Sequence, residues 1–146
     1  MSLSPQANQN PFILSSAFLT MAQQFFSAYQ ILKQTTNSIN WPGYFCFCHA
    51  LEIGMKAFLI SKGVTLEKGH KLVATMLKCQ KHGLTFSPSE QACIEALREP
   101  HSEYWARYPK EDWSDKKGVP TVEQYENDAL SVLNKISTDL TGAKLF

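Results

Sequence analysis

At 146 residues, with 44% hydrophobic and 18% charged side chains, the chain has the length and balance of one globular domain that can bury a core without disulfide staples. A formal net charge of +1 makes no strong case for a polyanion partner on bulk charge. The charge is uneven, however: residues 1–82 hold seven Lys against two Glu, whereas residues 83–146 hold seven basic against eleven acidic side chains.

The first ten residues carry no periodic pattern and read as a disordered N-terminus, leaving 11–146 as a single helical-bundle domain. From Pro11 to about Thr36, Phe12, Phe18, Met21, Ala22, Phe25, Phe26, Tyr29 and Leu32 recur at helical spacing. Pro11 suits a first turn, where its missing N–H is not needed. Asn37 to Gly43 reads as turn chemistry closing this helix.

A second helix is predicted from about Tyr44 to Lys62, stopped by Gly63, and its near-complete apolarity marks it as the central helix. A loop from Val64 to Gly69 leads to a third helix, His70 to about His82, with Leu72, Val73, Met76, Leu77 and Cys79 as its apolar set. Ser87-Pro-Ser-Glu90 is a capping box that opens a fourth helix. Pro100 predicts a break, followed by an irregular segment through Arg107-Tyr-Pro-Lys110. Residues 110–120 read as a polar loop. Thr121-Val-Glu-Gln124 is a second capping box, opening a last helix to about Leu140. The fold class is therefore all-α, an up-and-down bundle of about five helices.

Cys46, Cys48, Cys79 and Cys93 sit among apolar neighbours and read as reduced core thiols. Residues 46 and 48 point about 200° apart on a helix, a spacing that cannot grip one metal. No metal and no cofactor are expected. No unbroken apolar run reaches the roughly 20 residues of a membrane span, and the N-terminus lacks a signal-peptide pattern. A cytoplasmic protein without a membrane partner is the expectation.

Three features could carry chemistry. His49, Glu52 and Lys56 share one face of the central helix, with Glu52 four residues ahead of Lys56 in the favourable order for a pair. They read either as a solvated stripe or as a structural polar network, to which His70 could add a helix-start contact. About 12 Å of helix between residues 52 and 60 argues against a Glu52–His70 pair. Six Lys between 56 and 82, against Glu67 alone, read as solvated lysines or as a phosphate-facing surface. Residues 98–109 gather Arg98, His101, Trp105, Arg107 and Tyr108: arginine forks suit phosphate, and aromatic rings can stack on a base. The alternative for this segment is aromatic packing with arginine–glutamate pairs. No nucleophilic triad and no glycine-rich phosphate loop is present.

The ordered set His49-Ala-Leu-Glu-Ile-Gly-Met-Lys-Ala-Phe-Leu-Ile-Ser-Lys-Gly63, Gly69-His-Lys-Leu72, Gly83-Leu84 and Arg107-Tyr-Pro109 resembles the HEPN superfamily over roughly residues 40–140. The resemblance implies a four- or five-helix bundle, often a homodimer. Many members are metal-independent ribonucleases of toxin–antitoxin and phage-defence systems; others bind nucleotides, RNA or partner proteins such as minimal nucleotidyltransferases. The family's catalytic signature is an arginine followed, after four to six residues, by a histidine. Here the corresponding positions after Arg98 hold Glu103, Tyr104 and Trp105, and those after Arg107 hold Asp112, Trp113 and Ser114. The resemblance therefore implies a non-catalytic or atypical domain that binds a nucleotide, RNA or a partner protein. On this reading Lys56, Arg98 and Arg107 contact phosphate or the partner, and Trp105 or Tyr108 stacks. A ribonuclease built from Arg98 with His101 or His70 is the first alternative, and a purely structural dimerisation module is the second.

Overall fold

The structure, a computed structural model, describes residues 10–33, 40–103 and 121–146. Among them are five α-helices and no strand, so the chain is an all-α bundle. Helix α1 spans Pro11–Leu32, α2 Trp41–Ser61, α3 Leu72–Lys81, α4 Pro88–Ser102 and α5 Glu126–Thr141.

Helix α1 begins as its sequence predicts: the Asn10 side chain accepts the Phe12 N–H at 3.0 Å, and Pro11 fills the first turn. Phe18, Leu19, Ala22, Phe26 and Tyr29 are buried on one face. Phe12 and Met21, expected in that stripe, are exposed instead. Met21 precedes Ala22 by about 100° round the helix, which carries it off the buried face.

The turn expected at Trp41-Pro42-Gly43 is the first turn of α2. Asn40 accepts the Gly43 N–H at 2.9 Å and donates its own amide to the Leu32 carbonyl at 2.9 Å, so one side chain closes α1 and opens α2. Proline belongs there because first-turn N–H groups have no partner within the helix. Helix α2 packs against α1, α3, α4 and α5 and forms the bundle's centre. By length and composition it could cross a membrane, with a mean hydropathy of 1.3 over its best window. That window is 78% buried among the other helices, as befits a core helix.

Two further boundaries differ from expectation. Helix α4 runs through Pro100 to Ser102 rather than breaking. A proline there forfeits its N–H bond to the preceding turn and crowds the carbonyl four residues back, but the helix ends just beyond it at Ser102, and the ring is buried. Thr121 does not cap α5. Its hydroxyl accepts from the Gln124 side chain at 3.3 Å, and a 3-10 turn at Glu123–Tyr125 leads into the helix. The Ser87–Glu90 capping box forms with both reciprocal bonds. Leu77, placed in the apolar set of α3, is exposed.

Candidate functional site

The site is built on Glu52, which lies in the middle of α2 with its side chain fully enclosed. Positions 49, 52 and 56 stack on one face of that helix. The His49 Nδ1 sits 3.0 Å from Glu52 Oε2, and the Lys56 ammonium donates to Oε1 at 3.1 Å. The row is thus a network turned into the protein rather than a solvated stripe. His49 is wedged between aromatic rings, edge-on to Phe25 at 4.5 Å and stacked on Phe45 at 5.0 Å between centroids.

His70 reaches the same carboxylate. Its Nδ1 lies 2.8 Å from Oε1 and 3.1 Å from Oε2, which overturns the expectation that this pair is out of reach. That expectation made His70 the first residue of the third helix, folded back beside the end of α2. In fact α3 starts at Leu72, so His70 belongs to the connecting loop. Gly63, at φ +75°, turns the chain back, and the residues after it run antiparallel along α2. Seven extended residues span up to ~23 Å, more than the distance back to Glu52. Lys56 also donates to the Gly69 carbonyl at 3.3 Å, holding this loop against α2.

The fourth group comes from the last turn of α4. His101 is almost fully buried, and its Nε2 lies 3.3 Å from Glu52 Oε2. It arrives only because α4 continues through Pro100. Sequence reasoning grouped it with Arg98 as a ligand contact, but the two side chains diverge: Arg98 is exposed, with its guanidinium 3.4 Å from Glu95. Trp105, Arg107 and Tyr108 lie outside the described residues.

Burial of Glu52 by itself would raise its pKa. Hydrogen bonds from His101 and His49, with the charges of His101 and Lys56, more than reverse this and hold the carboxyl well below the usual carboxylate range. Glu52 is therefore an anion, shared by three imidazoles and one ammonium. Its four-fold partnership had one sequence signal: it is the first acidic residue of the chain, with none other before Glu67. The cysteines contribute nothing to the site. Burial raises all four thiols, Cys79 and Cys93 to about 12, so none is a thiolate near neutrality.

Beside the cluster, a cleft opens between the end of α2, the 62–71 loop and the start of α3. Among the described residues it is lined by Lys56, Lys68, Lys71, Lys78 and, as its one acidic side chain, Glu67. Glu67 pairs with Lys78 at 2.7 Å. Helix α3 has no side-chain cap at its N-terminus, so first-turn N–H groups near Ala74, itself part of the cleft wall, are left to other acceptors.

Compared with protein-family models, with curated proteins and with solved structures, the chain matches none.

Proposed function

We propose that the chain is a HEPN-like helical domain that binds a phosphate-bearing ligand, a nucleotide or RNA, without cleaving it. The observation that carries this reading is the lysine-lined cleft at the start of α3, where four ammonium groups face one carboxylate. An uncapped helix N-terminus in the same wall adds a favourable dipole for an anion. The Glu52 cluster is the scaffold of this cleft, because Lys56 and His70 tie the loop that carries Lys68 and Lys71.

A ribonuclease using Arg98 with His101 fits this geometry less well, since one side chain faces solvent and the other faces Glu52. The homodimer implied by the resemblance draws support from α1. Ile13 and Ile31 are exposed there, at positions five helical turns apart and so on one side. A cytoplasmic setting, and a nucleotidyltransferase partner in a toxin–antitoxin or phage-defence system, belong to the same reading.

The test is fluorescence anisotropy with a labelled mixed-sequence RNA and with a labelled ATP analogue, in chelator, at two salt concentrations. Saturable binding that weakens with salt is expected, together with intact RNA. A Lys68→Ala/Lys71→Ala variant should bind at least about 10-fold more weakly with an unchanged melting temperature. Binding indifferent to that variant, or RNA cleavage by the wild type, overturns the proposal.

A further inference from the structure

The chain has four histidines, and three of them converge on one buried carboxylate from three separate segments: α2, the loop before α3, and the end of α4. One nitrogen from each of His49, His70 and His101 and one Glu52 oxygen all lie within 4.8 Å of one another. We propose that these four residues hold a single divalent first-row transition ion. This inference shares Lys56 and the loop with the phosphate reading but rests on different observations and stands without it.

The donor set is the first argument. Three imidazole nitrogens and a carboxylate oxygen, with no thiolate, form a ligand set that suits zinc, iron, cobalt or nickel. It does not suit magnesium or calcium, which prefer all-oxygen shells. The spacing is the second. The facing nitrogens of His49, His70 and His101 lie 3.0, 3.1 and 3.3 Å from the same oxygen, Oε2. With metal–ligand bonds of roughly 2.0–2.1 Å, neighbouring ligands sit about 3.3 Å apart in a tetrahedron and about 2.9 Å apart at octahedral right angles. The three nitrogen–oxygen separations fall in that interval, and the four donor atoms as a set lie within 4.8 Å of one another, so closing on one ion takes a small inward shift of the rings.

The surroundings are the third argument. Lys56 donates to the other oxygen, Oε1, which His70 also approaches, and so holds the carboxylate with Oε2 as the oxygen within reach of all three rings. A hydrogen-bonded partner behind a ligating carboxylate is a usual feature of metal sites. Phe25 and Phe45 fix the plane of His49 and keep that side of the site dry. His70 is the most exposed of the four ligands, at 26%, and gives an ion a route in beside the Gly69 turn. Gathering three imidazoles and an ammonium round one buried anion is also a poor way to gain stability alone, since hydrophobic replacements of buried ionic groups are often neutral or better.

The test uses the full chain stripped with chelator and dialysed, then titrated with zinc chloride in competition with a chromogenic chelator. The expected result is one zinc per chain with submicromolar affinity, a melting temperature several degrees higher with zinc, and intense visible bands with cobalt(II). His70→Ala should lose at least about 100-fold in zinc affinity, near the upper end of the loss seen even for outer-shell changes. His82→Ala, the histidine outside the cluster, should bind zinc as the wild type does. No zinc-dependent rise in melting temperature of the stripped wild type overturns the proposal whatever the variants do. Equal zinc affinity in wild type and a folded His70→Ala overturns it as well.

Discussion

His70 Nδ1 lies 2.8 Å from Glu52 Oε1 although eighteen residues separate them, and this contact ties the loop before α3 to the centre of the bundle. Lys56, His49 and His101 complete the set round the same carboxylate. Glu52 is thus a joint between α2, α4 and the loop.

Removing that joint should be costly. Glu52→Ala leaves an ammonium and three rings in the core without their anion, and a loss of about 3–5 kcal/mol is expected. Glu52→Gln keeps the size and one acceptor, so it should cost clearly less. Urea unfolding of both variants checks the order. Equal losses would show that shape rather than charge holds the site.

The conformation that delivers His70 also predicts a sensitive glycine. Gly69 adopts φ +103°, although an added Cβ would meet nothing within 4 Å. Gly69→Ala should therefore destabilise through backbone strain alone, by about 1–2 kcal/mol. The imidazole NMR signal of His70 should shift with it. Unchanged stability would mean that the turn relaxes freely.

At Gly54 the opposite cause applies. A Cβ there would come 2.5 Å from Leu133 Cδ2 on α5, in the core. Gly54→Ala gains about 1 kcal/mol of helix propensity but loses about 1–3 kcal/mol to overpacking, so a small net loss is expected. In a Leu133→Ala background the same substitution should become stabilising. Additive effects in that double-mutant cycle would rule out the clash.

Glu90 offers a pH test away from the cluster. Burial works to raise its pKa, but the Lys135 ammonium and the Ser87 hydrogen bonds outweigh it and leave the carboxyl below its ordinary value. A depressed folded-state pKa means stability that is present above the unfolded value, about 4.3, and is lost as pH falls through the folded one. Between pH 5 and pH 3 the wild type should lose more stability than Glu90→Gln. The variant itself should be weaker at pH 7 by about 1.5–3 kcal/mol, the range for a hydrogen bond to a charged group. Parallel stability curves would remove Glu90 from the acid response.

Tyr44 predicts a gain. Its ring is buried, and among the described residues its hydroxyl meets no hydrogen-bond partner. Burial and nearby acidic groups raise its pKa far above the ordinary value, so it stays a neutral phenol. Tyr44→Phe removes an unpaired polar group and should raise the melting temperature by a few degrees. A lower melting temperature would reveal a partner for the hydroxyl.

Helical periodicity, capping residues and glycine stops are local signals, because each reports on neighbours within a turn or two. The sequence alone therefore determined the all-α class, the central place of the second helix, the Ser87 capping box and the His49–Glu52–Lys56 row. Asn40 and Pro100 misled for a related reason: the same residue types open helices, end turns or sit in a last turn, and packing selects among those roles. That His70 and His101 join Glu52 was decided only by the tertiary structure. The path of the loop and the continuation of α4 depend on what each buries against α2, and no local pattern encodes a contact between residues 52 and 101.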